Sequence, residues 1–505
     1  MMRIATVADA VAAGRRTAGQ GPWPHVQLDA TSWREVADRL ADGSFTLLGL
    51  WADGDTVHLA ARGETVAVFS IVAVNGLYPS VARLHLPAMR LERSLRDLFG
   101  LHPEGLPDQR PWLDHGAWGV ATPLRGAHPS SPPAEYRFLP VEGEDLHEIP
   151  VGPVHAGIIE PGHFRFTADG ETVVRLEQRL GYTHKGVESL LAGSDIAHAA
   201  RLAGRVSGDS TVAYAFAFAR AVEEAAGVAP PPRAILLRGL MAELERIANH
   251  LGDIGAICND ASFAIIHAHF GILRERVLRT AASCFGHRLT MDRIVPGGVA
   301  VDLPPEGAAQ VQDLLREIRA RLPHLTELYD STASLQNRTV GTGIVRADLA
   351  RRFGAGGPVG RASGRDFDTR RDLAYPPYDT LNFTVQLRTE GDVNARIWLR
   401  LGELGESMAL IDQILARLAP GPIRAPEASC AQAGSNAGIA MVEAFRGDVL
   451  AWVRLDNDGR IARCHVRDPS WFQWPLLEAA IEGNIVADFP LCNKSFNCSY
   501  SGQDL

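Results

Sequence analysis

The chain has 505 residues, too many for one core, and its 46% hydrophobic and 22% charged residues are the balance of an ordinary globular protein. A net charge of −9 argues against a general nucleic-acid surface, and no apolar run reaches the roughly 18–20 residues that a bilayer span needs. Six cysteines with no C-x-x-C pair point to a reducing compartment and no disulfide framework.

The opening "MMRIATVADAVAAGRR" lacks an apolar core followed by a small-residue cleavage site, so it is not read as a signal peptide. Residues 1–30 are expected to be a weakly ordered or short helical lead. From 31 to 100 a helix pattern, "SWREVADRLADG", alternates with strand-like runs, "TVAVFSIVAV" and "SVARLHLPA", which predicts a small α/β domain. "RLERSLRDLFGLHPEGLPDQRPWLDHGAW" then runs a charged helix into a Pro/Gly-rich loop. Residues 121–150 carry proline, serine and acid without periodicity and read as a linker between domains at 1–120 and 151–505. After a short β section, "HFRFTADGETVVRLEQRLGY", helical spacing covers about 188–227, 231–256, 261–286, 305–329 and 393–418. The stretch near 450–470 predicts a hairpin around Asn457-Asp458-Gly459. The fold class expected is α+β: a small α/β unit, then a large, mostly helical unit with β decoration.

Four stretches carry candidate chemistry. "GRVSGDSTVAYAFAF" sets Ser207, Asp209 and Ser210 ahead of an apolar helical run, where hydroxyls and an acid ordinarily mark a helix start. "GYTHKGVESLL" holds His184, Lys185 and Glu188 at helical spacing. They form either a capping and salt-bridge cluster or a proton relay through a buried glutamate, whose pKa burial would raise. "LMAELERIANHLGDIGAICND" places Glu243, Arg246 and His250 near one helix face, with Asp260 at its end. "GPVGRASGRDFDTRRDLAYPPY" crowds Arg361, Arg365, Asp366, Asp368, Arg370, Arg371 and Asp372 between glycines and prolines, as an ion-pair network or a cleft wall. Cys492 and Cys498 form a C-x5-C pair, which is not the spacing of a usual metal hook and reads as incidental, and no Walker or G-x-G-x-x-G stretch appears.

In this order the segments resemble the large subunit of membrane-bound [NiFe] hydrogenases of the formate hydrogenlyase type. They equally resemble the C and D subunits of respiratory complex I fused in one chain. "RLERSLRDLFGLHPEGLPDQR" is similar to the C-type signature. "PVGPVHAGIIEPGHFRF", "HKGVE", "ELERIANHL", "LRERVL", "NRTVGTG", the arginine-rich loop and the tail are similar to the D-type or hydrogenase pattern.

The resemblance implies four thiolates holding nickel and iron, yet here the first pair is Ser207 and Ser210, and the second aligns with Ser499 and Gly502. These four would line an emptied cavity, and no metal is expected to be held by this chain. The complex I pattern implies a His and a Tyr on a quinone head group, and those positions become Ile159 and Gly208. Their partner acid corresponds to Asp260, and His155 or His163 could supply a histidine by a shift of alignment.

By the same resemblance Arg205 and His250 would flank a [4Fe–4S] cluster of a small partner subunit, and Glu188 would relay protons. Glu188, Asp209, Asp260 and Arg361 are therefore the candidate catalytic set, with Asp209 expected to have a raised pKa if buried. The function expected is electron transfer between a partner's [4Fe–4S] cluster and a quinone or other acceptor. The partners expected are an iron–sulfur subunit and antiporter-like and quinone-channel-like membrane subunits, with no nucleic acid. The location implied is peripheral, on the cytoplasmic side of a membrane. The alternatives are a scaffold that couples redox to proton-pumping subunits, and a working hydrogenase.

Overall fold

A computed structural model describes residues 4–17, 19–129, 136–156, 159–426 and 436–505. Its amino-terminal sheet has five strands in the order Arg15–Arg16, His25–Gln27, Val66–Val72, Thr56–Arg62, Thr46–Asp53. The last three form an antiparallel meander, while His25–Gln27 runs parallel to Val66–Val72. Helices Ala30–Ala41 and Met89–Phe99 belong to the same core through Trp33, Val36, Leu40, Leu95 and Phe99. Asp29 starts the first of them, its carboxylate accepting the Ser32 N–H at 2.8 Å.

One expectation changes in this unit. "SVARLHLPA" is not a strand. The carboxylate of Glu92 accepts the Ser80 hydroxyl and the Val81 and Ala82 N–H groups at 2.6, 2.8 and 3.1 Å, so these donors turn inward instead of joining a ladder. Pro87 then sits in a short 3₁₀ turn, Leu86–Ala88. Of the two forms expected for the lead, its described residues take the short helical one. Val7–Ala13 is a helix closed by a Thr6–Asp9 capping box, and Gln20–Gly21 pairs with Ala437–Gly438 of a second sheet.

The larger unit holds the long helices Thr211–Ala226, Pro232–Asp260, Ala264–Phe285, Gly307–Ser331 and Val393–Arg417. The expected 188–227 helix is broken into Val187–Leu191, Ile196–Ala203 and Thr211–Ala226. Asp195 caps the second piece on the His198 N–H, and a short turn at Gly208–Ser210 precedes the third. The hairpin forms as expected, Gly447–Leu455 against Ile461–Arg467, with Gly459 at φ +73° and Asp456 accepting the Asp458 and Arg460 N–H groups. Leu146–Val151, which begins inside the segment read as a linker and ends one residue past it, pairs with His163–Asp169. Among the described residues no helix is long and apolar enough to cross a membrane.

The two sheets meet through Leu48, Trp51, Met441, Leu450 and Trp452. Cross-strand neighbours share a face, so the Trp51–His58 and Trp452–His465 pairs bring four rings together there. Trp51 stacks 5.5 Å from His465, within 9° of parallel.

Candidate functional site

The breaks in the 188–227 region position the candidate site. The turn at Gly208–Ser210, the Arg446 end of the strand pair 437–444 and 447–455, Asp468 after the hairpin, and the tail at Ser499–Gly502 converge. The Ser499 hydroxyl donates to Ser207 Oγ at 3.1 Å, and Ser207 donates to Asp209 Oδ1 at 2.9 Å. The Gly502 N–H donates to Ser499 Oγ at 2.9 Å. Arg446 clamps Asp209 with two bonds of 2.7 and 2.6 Å and gives a third, 2.8 Å, to Ser210 Oγ. Ser207, Ser210, Ser499 and Gly502 are therefore brought together, with Asp209 bonded to the first two at their edge.

The serines do not cap the apolar helix. Its first N–H groups, from Val212 and Ala213, donate to the Glu245 carboxylate at 2.8 and 3.2 Å. Burial, reinforced by the Asp209 charge, outweighs those bonds and pushes Glu245 up to about 8. A cavity of about 20 Å³, room for about one water, lies beside Asp209 and Glu245. Arg446, Asp468, Tyr214 and Glu245 are not singled out by the sequence. They come from four separate segments, and "FRGD" at a strand turn carries the only local signal.

The donor set does not fit a thiolate-held bimetallic centre. At the four positions where the resemblance implies thiolates stand a glycine and three serines, of which Ser499 bonds Ser207 while Ser210 accepts from Arg446, and none offers soft anionic sulfur. The nearby Cys498 faces Gln473 Oε1 at 3.9 Å, and burial raises its thiol. Among the described residues no three His, Cys, Asp or Glu side chains converge as a metal-holding group.

Two proton-relay expectations are corrected. Burial alone would raise Asp209, but the Arg446 guanidinium prevails and holds it at about 2. Glu188 is likewise held at about 2, because Arg463 at 2.7 Å and His465 at 2.8 Å outweigh its burial. Both are ionised anchors rather than acids poised near neutrality. His184 and Lys185 bond to the carbonyls of Asp504 and Val206, at 2.9 and 3.0 Å.

The remaining candidates scatter. Arg205 is exposed and paired with Asp292 at 2.6 Å. Arg205→Ala is thus expected to change stability by less than about 1 kcal/mol, measured as a melting shift. Asp260 is half-buried, and burial raises its carboxyl against the pull of Lys494. Ile159 and Gly208 are exposed. His155 is half-buried against Phe164, and His163 lies 3.4 Å from the Gly152 carbonyl.

His250 and Arg361 belong together in a buried ion network. Arg361 binds Glu403 at 2.6 Å and Glu443 at 2.7 Å, and His250 Nε2 lies 2.6 Å from Glu403. An ionised carboxylate only accepts, which assigns the His250 proton to Nε2. Burial outweighs Glu403 and keeps His250 below its ordinary pKa. Arg370 joins Asp368 to Glu243, which also accepts from Arg246, Tyr378 and Ser407. The buried members of the arginine-rich loop, Arg361, Asp368 and Arg370, are therefore tied into an internal ion network, while Arg370 and Arg371 also border a surface cavity of about 500 Å³.

Residues 262–437 and 430–504 match the respiratory-chain NADH dehydrogenase 49 Kd subunit family, residues 26–134 the 30 Kd subunit family, and residues 185–252 the nickel-dependent hydrogenases. The chain is 32% identical over 441 residues to formate hydrogenlyase subunit 5 of Escherichia coli, covering 85% of this chain and 77% of that protein. Hydrogenase-4 component G of the same organism is 32% identical over 440 residues, 85% and 76% of the two chains. The carbon monoxide-induced hydrogenase of Rhodospirillum rubrum is 31% identical over 352 residues, 70% and 97%. The chain belongs to this family of hydrogenase and complex I large subunits, in the form that fuses the 30 Kd and 49 Kd parts.

Proposed function

We propose that this oxidoreductase subunit is a nickel-free member of the family, working at the cytoplasmic face of a membrane-bound complex. It passes electrons from a [4Fe–4S] cluster of a small partner subunit to a quinone or a similar organic acceptor, with antiporter-like and quinone-channel-like membrane subunits alongside. One observation carries the reading: the four ligand corners are Ser207, Ser210, Ser499 and Gly502, interlocked around an Arg446–Asp209 ion pair. The edge of that group is open, since the Asp209 side chain remains 37% exposed and Gly208 is at the surface. An acceptor would be held at this edge, between this chain and its partner.

The purified complex is expected to hold far less than one nickel per chain and to evolve no hydrogen from reduced viologen, while reducing a short-chain quinone. One nickel per chain together with hydrogen evolution would overturn the proposal and restore the hydrogenase reading. A second reading, the coupling scaffold, is favoured by the bonds that tie the corner residues to one another and to the Arg446–Asp209 pair. Glu188→Gln and Asp209→Asn complexes that assemble and keep full turnover would support the scaffold. Selective loss of turnover with assembly intact would support electron delivery.

A further inference from the structure

We infer that the place of the metal is taken by the chain itself. Arg446 with Asp209, and Tyr214 with Asp468, form a clasp that fastens the tail to the core and leaves the fourth corner no room for any side chain. The inference rests on the nickel-free reading and adds what holds the three segments together.

Four thiolates around a metal join two chain segments by neutralising negative charge with a cation at their centre. Here the cation is the Arg446 guanidinium and the anion is Asp209. Arg446 also reaches Ser210 Oγ and, through Nε, the Asn497 carbonyl, so one side chain binds the helix start and the tail together. On the tail, Ser499 closes onto Ser207, and its backbone N–H donates to Ser470 Oγ at 2.8 Å. The Asp504 carboxylate then accepts the Gly181 and Thr183 N–H groups at 2.8 and 3.0 Å.

The fourth corner decides the matter sterically. Tyr214 Oη donates to Asp468 Oδ2 directly over Gly502. A Cβ at Gly502 would lie 2.7 Å from Asp468 Oδ2 and 2.8 Å from Tyr214 Oη, inside any normal contact distance. Neither neighbour can give way cheaply, because Asp468 also accepts the Ser470 N–H at 2.8 Å and Tyr214 is 1% exposed. Gly502 has no positive φ, so close approach alone requires the glycine. A cysteine there would strike the Tyr214–Asp468 pair before its sulfur could face a metal.

The test is a mutant cycle on the full chain. Gly502→Ala is expected to lower the melting temperature by several degrees in the native background, and far less where Tyr214→Phe and Asp468→Ala have removed both obstructing oxygens. An equal loss in both backgrounds, or none in either, would overturn the clasp while leaving the nickel-free reading intact. In parallel, the S207C/S210C/S499C/G502C variant is incubated anaerobically with Ni²⁺ and desalted. No stoichiometric nickel should remain, whereas one per chain with native circular dichroism would refute the steric argument. Nickel in the wild-type chain would instead overturn the parent reading.

Discussion

Replacing Arg361 by methionine is expected to destabilise the chain by roughly 3–5 kcal/mol, the range for removing one partner of a buried ion pair. Arg361 is 1% exposed, and its guanidinium faces Glu403 and Glu443 at hydrogen-bond distance, with Asp368 at 3.5 Å. Methionine keeps the stem volume but leaves these carboxylates without their shared cation. Lysine should recover only part of the loss, because a point charge cannot bridge two carboxylates as a planar fork does.

The same variant separates a structural from a catalytic role for Arg361. A denaturation midpoint that shifts while the assembled complex keeps its turnover identifies a framework residue. His250 supplies a second readout. With Arg361 gone the Glu403 charge is less compensated, so the His250 pKa should rise, visible in its imidazole resonances as a function of pH. A near-neutral Arg361→Met variant would refute the network's importance.

Much of the fold is legible because long amphipathic helices and Asn-Asp-Gly turns write their structure locally. The Asn457–Gly459 hairpin and the helix expected at about 231–256, which runs on to Asp260, are read from adjacent residues alone. "SVARLHLPA" misleads because its outcome depends on Glu92, a buried acid that takes three donors from the strand-like run. Convergence of Ser207, Ser210, Ser499 and Gly502 follows from family resemblance, since no local pattern links positions nearly 300 residues apart. What fills the space between them is invisible in the sequence. Arg446 lies in a turn between strands and Asp468 just past the end of one, and only three-dimensional proximity turns them into partners of Asp209 and Tyr214. The charge states escape for the same reason. A buried Glu188 and a half-buried Asp209 can be inferred, but their arginine partners lie more than 200 residues away.

The seam between the two sheets is expected to be the acid-labile part of the molecule. Burial holds His25 at about 4 and His58 well below its ordinary value, with His25, Arg463, His465 and Arg454 adding to the effect at His58. The folded state refuses protons that the unfolded chain accepts below about 6.5. This contribution is complete above that pH and is lost as pH falls towards 4, amounting to about 3 kcal/mol for His25. Glu92 and Glu245 oppose it. Burial raises them to about 7 and 8, so they favour the folded state increasingly as pH falls towards 4.5. The whole-protein curve therefore mixes both signs, and a difference between variants isolates the histidines. His58 Nδ1 is buried without a partner, so His58→Phe removes the titration at that position with no hydrogen bond lost there. Urea midpoints from pH 7.5 to 4.5 should fall less steeply in His58→Phe than in the wild type. Trp51 and Trp452 fluorescence, reporting from the seam itself, should hold its native signal to lower pH. Parallel pH curves for the two proteins would show that the proton enters elsewhere, and that burial between the two tryptophans does not keep His58 neutral.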